Sequence, residues 1–188
     1  KKLKILIGQH GGNLTTTSFS SHFDHEIKIC DNYLALGKKN FGIKKIKPFY
    51  NFLVKYKKNI IQNKSKCLII LNTYPKYSHA ITSSVTSFQY LDYINEQTVL
   101  INNLDTKIKK KCILRLHKEE KNYKWHTARR IKRASKSILI DEGNKDIIKL
   151  IRDSKICVVT TNGTSYLESL NMNIPTLIFF NKKFDTLN

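Results

Sequence analysis

The strongest constraint on this chain is a rhythm of short apolar runs separated by helical stretches. Residues 66–72 (Lys-Cys-Leu-Ile-Ile-Leu-Asn), Cys112 to Leu116, Ser137 to Asp141, 155–160 (Lys-Ile-Cys-Val-Val-Thr) and Thr176 to Phe180 are each five to seven residues long. Runs this short, apolar with little alternation, read as strands buried on both faces of a sheet. Between the first two, Phe88, Leu91, Ile94, Ile101 and Leu104 recur mostly at three-residue steps and predict a helix over about 86–104. The basic stretch Tyr123 to Arg133 also reads as helical. Asn144 is placed to N-cap a helix over Asp146 to Arg152, with acid in its first turn and base in its last. A polar turn, Thr161 to Ser165, then leads into a short helix ending near Asn171, and Pro175 opens the last strand. Strands alternating with helices predict a parallel α/β fold, here one doubly wound, Rossmann-type domain over residues 66–188.

Residues 1–45 have a different texture, holding five of the seven glycines and three of the six histidines. A strand-like run, Leu3 to Ile7, begins almost at once. Residues 46–65, with Pro48 and many lysines, read as the connection between the two parts. A strand with so little lead-in, and a last apolar run followed by only eight residues, lead us to expect truncation at both ends.

The formal charge of +20, from 34 Lys and Arg against 14 Asp and Glu, first suggests nucleic-acid binding. Yet 29 of those cations are Lys and five are Arg, whereas base readout and phosphate forks favour Arg. Lys, Ile and Asn make up 70 residues, the bias an AT-rich genome imposes. Scattered lysines on solvated faces are the favoured reading, and no nucleic-acid partner is expected. A basic surface still suits anionic sugar nucleotides and peripheral contact with an anionic membrane face. Cysteines 30, 67, 112 and 157 form no CxxC pair, and three lie in or beside predicted buried strands. That usage fits a reducing cytosol and argues against a zinc site or a disulfide framework. No apolar run approaches the roughly 20 residues a membrane span needs.

Four groups of residues can carry chemistry. Gln9-His10-Gly11-Gly12 follows the first strand, where ligands gather in open α/β sheets; the glycines let backbone approach a phosphate, and a neutral imidazole can act as base or donor. A glycine turn with an incidental histidine is the competing reading. Asp24-His25-Glu26, with Asp31 and Tyr33 beyond, offers carboxylate and imidazole that can pair with His10 if the loop folds back; an exposed polar loop is the slightly favoured reading. Arg115 and His117, two apart, share one face at a strand's carboxyl end and can clamp a pyrophosphate, or can simply end the strand. Thr160-Thr161-Asn162-Gly163-Thr164-Ser165, with Glu168 a turn further on, is the strongest group. A helix start with Gly163 and several hydroxyls suits a phosphate, and Glu168 suits a sugar hydroxyl, although a bare helix cap uses the same residue types.

Taken together, Arg115-Leu116-His117-Lys118, the helix 146–154, Thr160 to Ser165, Glu168 and Ile174-Pro175 resemble the donor half of GT-B transferases. That group includes CDP-glycerol glycerophosphotransferases; Lys118 stands where those have Pro. Over nearly its whole length the chain resembles a bacterial transferase family of surface-carbohydrate biosynthesis, through Gln9-His10-Gly11-Gly12, His25-Glu26, Asp31 and Tyr33-Leu34-Ala35-Leu36-Gly37. Asn13 replaces a third glycine of that pattern and Leu36 a tryptophan. The resemblance implies a GT-B-like enzyme in which residues 1–45 are the remnant of an acceptor-side domain, 46–65 a linker and 66–188 the domain that binds the nucleotide-activated sugar. It implies His10, His25 and Glu26 as catalytic residues. It further implies Gly11, Gly12, Arg115, His117, Thr161, Gly163, Thr164, Ser165 and Glu168 as donor-binding. The expected reaction moves a glycosyl or polyol-phosphate group to a glycan or lipid-linked acceptor at the cytoplasmic face of the membrane, with no cofactor or metal. A UDP-sugar epimerase of the same fold and a basic nucleic-acid-binding module are the alternatives.

Overall fold

The computed structural model describes residues 3–11, 17–36, 42–49, 64–78, 84–179, 181 and 183–184. These form two parallel sheets, one in each part of the chain. The first holds β1 (Leu6–Gly8), β2 (Asn32–Leu36) and β3 (Ile46–Phe49) in that order, with α1 (Ser21–Ile29) between β1 and β2. Asp24, His25 and Glu26, read from sequence as a polar loop, therefore lie on a helix. Its start was written in Ser20, whose hydroxyl accepts from Phe23 N at 3.2 Å as an N-cap. Its far end is closed by Lys45, whose Nζ reaches the carbonyls of Ile27 (2.7 Å) and Cys30 (3.0 Å). The small core beneath packs Cys30, Tyr33 and Ala35 against Phe23, Ile27 and Ile46.

Ile46 to Phe49 correct the expected linker, because they pair with β2 rather than starting a connection. Pro48 marked them as loop; a proline is tolerated here because β3 is an edge strand. Residues 50–63 of that expected linker lie outside the described residues.

The second sheet runs β6-β5-β4-β7-β8, all parallel, with β4 (Cys67–Ile70), β5 (Cys112–Arg115), β6 (Leu139–Asp141), β7 (Ile156–Val159) and β8 (Thr176–Ile178). Chain order reverses direction between β4 and β7, which makes that gap the topological switch point of a doubly wound, Rossmann-like sheet. Side chains alternate across it. Ile69, Leu71, Leu114, Leu116 and Val158 join a core with α2 (Tyr90–Asn103) and α5 (Thr127–Ala134) on one face. Leu68, Ile70, Ile113, Cys157 and Val159 join α6 (Ile147–Arg152) and the end of α7 (Ser165–Asn171) on the other. Two short helices, α3 (Thr106–Lys109) and α4 (Glu120–Tyr123), complete the connections.

Three expectations within this domain change. Helix α2 starts at Tyr90, and Phe88, counted on its apolar face, is 94% exposed; the buried face is Tyr90, Tyr93, Ile94, Gln97 and Ile101. The predicted helix from Tyr123 to Arg133 is broken, because Lys124 (φ 54°) and His126 (φ 56°) adopt left-handed backbone. Between them Trp125 turns inward, its Nε1 donating to Tyr74 O at 2.7 Å and its ring stacking on Tyr90 at 4.6 Å. Asp146, not Asn144, caps α6, accepting from Ile148 N at 2.7 Å.

Candidate functional site

A cleft of about 470 Å³ opens at the carboxyl ends of β4, β5 and β7, where the switch point lies. Its floor is the end of β4 (Ile70, Leu71 and Asn72). One wall is Arg115 to Lys118, beyond β5; the other is Thr161, Gly163, Thr164 and Ser165, with Glu168 from α7. Seven residues singled out in the sequence as donor-binding thus line one cavity: Arg115, His117, Thr161, Gly163, Thr164, Ser165 and Glu168. Gly11 lies in the loop after β1 and is not part of its lining, and Gly12 lies outside the described residues.

The floor is set by a chain of hydrogen bonds across the switch point. Asn72 N donates to the Tyr93 hydroxyl at 3.0 Å, Tyr93 meets the Thr160 hydroxyl, and Thr160 Oγ1 donates to Ile70 O at 2.8 Å. Thr160 is therefore a buried tie between strands rather than a cavity wall. Burial raises the Tyr93 pKa, so its hydroxyl stays protonated and continues the chain.

Arg115 is not the open fork that its position suggested. Its Nη1 lies 2.8 Å from Asp141 Oδ2 on the neighbouring strand, with both side chains buried. A buried pair of this kind holds position, because removing either member strands the other charge. Gly143 (φ +93°) packs on this pair. A Cβ there would stand 2.6 Å from Lys118 Cα and 3.2 Å from Arg115 Nη1, so a close backbone approach requires glycine. Gly163 is different: a Cβ there would meet only Thr161 Oγ1, at 3.6 Å, and its φ is ordinary. Among the described residues, no packed neighbour demands that glycine.

His117 presents a defined donor. Its Nδ1 accepts from Glu119 N at 3.2 Å, which leaves the proton of the neutral ring on Nε2. Burial lowers its pKa from the ordinary 6.5, and the charges of Arg115 and Lys118 lower it further against the opposing pull of Glu119. The sequence reading missed Asn72, Asp141 and Gly143. The signal for the last two was present, an acid ending a predicted strand and a glycine two residues on.

A second group stands beyond β1 and β2. Gln9 is buried and pins the loop after β1: its Oε1 accepts from Leu36 N at 2.8 Å and its Nε2 donates to Gly11 O. The next residue, His10, has a 63% exposed side chain whose Nε2 is 3.3 Å from Glu26 Oε1 on α1. Glu26 Oε2 and the Tyr33 hydroxyl are both buried. Burial, then the nearby Glu26 charge, push the Tyr33 pKa up. His25 is exposed and, one residue earlier on the helix, faces about 100° away from Glu26, outside this pair. Asp31 serves the fold, its Oδ2 accepting from Ile5 N at 2.7 Å. Among the described residues, no three His, Cys, Asp or Glu side chains converge as a metal-ligand set.

A parallel, doubly wound sheet with a polar, hydroxyl-walled cleft at its switch point gives the second part of the chain a Rossmann-like α/β fold. The chain belongs to a family of enzymes, the one described as LIC12162 family transferase, which it matches over residues 1–188. No curated protein and no solved structure matches it significantly.

Proposed function

We propose that the protein moves a glycosyl or polyol-phosphate group from a nucleotide-activated donor to a glycan or lipid-linked acceptor in bacterial surface-carbohydrate assembly. One observation carries this reading: a single cleft joins the Arg115-x-His117 strand end to the Thr161–Ser165 turn, in a chain of a transferase family. The donor's pyrophosphate occupies the cleft. His117 donates through Nε2, the hydroxyls of Thr161, Thr164 and Ser165 donate from the opposite wall, and Glu168 accepts from a ribose or sugar hydroxyl. Arg115, engaged by Asp141, contributes positive potential rather than a free fork.

In this reading the two sheets belong to a GT-B-like pair of domains, and the first is the acceptor side. His10, held by Glu26, takes the proton from the acceptor hydroxyl. The acceptor oxygen bonds to the transferred carbon or phosphorus, and the bond to the donor's bridging oxygen breaks. The nucleotide leaves with that electron pair, its growing charge stabilised by the preorganised donors of the cleft.

The test is a binding panel of CMP-, CDP-, UDP- and GDP-linked compounds, run beside duplex DNA. A saturable response to one base is expected, weakened about tenfold (~1.4 kcal/mol) in His117→Ala or Ser165→Ala. Tight DNA binding with no nucleotide response sinks the proposal.

A further inference from the structure

Helix α5 holds three of the chain's five arginines, Arg129, Arg130 and Arg133, within five positions. In a chain whose other cations are almost all lysines, composition alone does not produce such a cluster. One of the three is used internally: Arg130 Nε donates to Trp125 O at 2.9 Å and fixes the start of the helix. Arg129 and Arg133 instead line a groove of about 680 Å³, with Lys132 between them, Lys136 from the following turn and Lys121 from α4. Positions 129, 132 and 133 fall on one helical face, and all three side chains are exposed.

Helix stability explains part of this and no more. Lys132 and Arg133 in the last turn suit the negative end of the helix dipole. Arg129, in the first turn, opposes the positive end, where an acid is the stabilising choice. No acidic residue occurs anywhere in α5. The groove holds two carboxylates, and one is already committed, since Glu120 Oε1 accepts from Thr127 N at 2.8 Å.

Chemistry narrows the occupant. Only Thr127 and Ile131 of α5 are buried, and they face inward; the exposed face has no large apolar side chain to enter hydrocarbon. Among the described residues, no Phe, Tyr or Trp lines the groove and His126 is its single ring, so a run of stacked bases finds no continuous platform. What remains is a concave cationic face with planar guanidinium groups, which fits an array of phosphate head groups. Its position also matters. Lys121 and Glu142 of the groove follow β5 and β6, at the same sheet edge as the strand-end cleft, and Gly143 packs on Lys118 between the two.

We propose that the α5 groove is an electrostatic docking surface for an anionic membrane, which holds the cleft-bearing edge of the second sheet beside the lipid head groups. Docking is by charge alone and does not depend on what the cleft binds.

The test is co-sedimentation of the full chain with phosphatidylcholine vesicles, with and without phosphatidylglycerol. The neutralised variant R129Q/R133Q should lose at least about tenfold in partitioning to the anionic vesicles, the order expected for two surface cations. The reversal R129E/K132E/R133E should abolish it. A control reversal of three exposed lysines elsewhere, K107E/K110E/K111E, should change it by less than about threefold, the far-face screening limit. Circular dichroism checks that each variant remains folded, and the milder neutralisation keeps the test decisive if the reversal does not. Equal losses in the α5 and control variants would reduce the effect to net charge and overturn the proposal. So would the absence of vesicle binding, full competition by soluble glycerol phosphate, or an α5-dependent preference for duplex DNA over anionic vesicles.

Discussion

His10 Nε2 stands 3.3 Å from Glu26 Oε1, so the loop that leaves β1 is tied to α1 by an imidazole–carboxylate contact. Gln9 makes the contact reproducible, because its buried amide clamps that loop to the end of β2 from the residue before. Under the proposed function, His10→Ala is expected to lower kcat by about a hundredfold or more, the usual contribution of a positioned base. Glu26→Gln, which keeps the shape and removes the charge, should lower kcat by a smaller factor. Neither should alter nucleotide affinity, since neither lines the cleft. Steady-state kinetics with calorimetric binding checks this, and a matching loss of affinity would contradict it.

The two glycines near the cleft make opposite demands. Gly143→Ala places a Cβ 2.6 Å from Lys118 Cα at a φ of +93°, and should destabilise the fold by about 1–3 kcal/mol in urea unfolding. Gly163→Ala meets only ordinary contact and should cost less than about 0.5 kcal/mol. Under the proposed function it should still weaken nucleotide binding, because Gly163 is then required by the ligand and not by the fold. A variant with unchanged affinity would remove that glycine from the site.

The strands of the second sheet were legible because burial on both faces leaves a direct mark: Cys67–Ile70, Cys112–Arg115 and Ile156–Val159 carry almost nothing but apolar side chains. Once those strands were parallel, the strand ends and turns between them had to share one edge of the sheet. That is why His117 and Ser165, 48 positions apart, could be paired from sequence. The face of α2 was harder to read. Periodicity counts residue types, and here Gln97 is fully buried while the apolar Phe88 and Leu91 face solvent. The break at Lys124 and His126 left only a faint mark, because lysine does not favour left-handed backbone and histidine, though enriched there, adopts it in only a small fraction of cases. Arg115 was legible as a strand-end cation; its capture by Asp141 depended on the register between β5 and β6, which no local pattern encodes.

The lowered pKa of His117 has a definite sign in stability. The unfolded chain titrates this histidine near 6.5, while the folded protein holds it neutral to lower pH. Between those values the unfolded state binds more protons, so stability rises with pH across the window and is level above it. His117→Asn should flatten that rise, as measured by unfolding free energy against pH. A bound phosphate reverses the local field and raises the His117 pKa. Nucleotide binding just below neutral pH should therefore take up a fraction of a proton, seen as a buffer-dependent binding enthalpy. Proton release on binding would refute the contact.

Tyr93→Phe tests how the switch point is held together. The hydroxyl accepts from Asn72 N and meets Thr160 Oγ1, so it joins the ends of β4 and β7 from a helix on one face of the sheet. Removing it leaves the Asn72 N–H without its partner, and takes from Thr160 a bond that its remaining one to Ile70 O does not replace. The expected cost is about 1–3 kcal/mol, the penalty for leaving a buried polar group unpaired. A phenylalanine ring keeps the packing on Tyr90, so a larger loss would point to rearrangement of the helix itself. Because Asn72 also lines the cleft, the variant should shift amide resonances from Asn72 through Thr161 while those of the first sheet stay in place. Resonances unchanged at Thr160 would show that the hydroxyl does not couple the two strands.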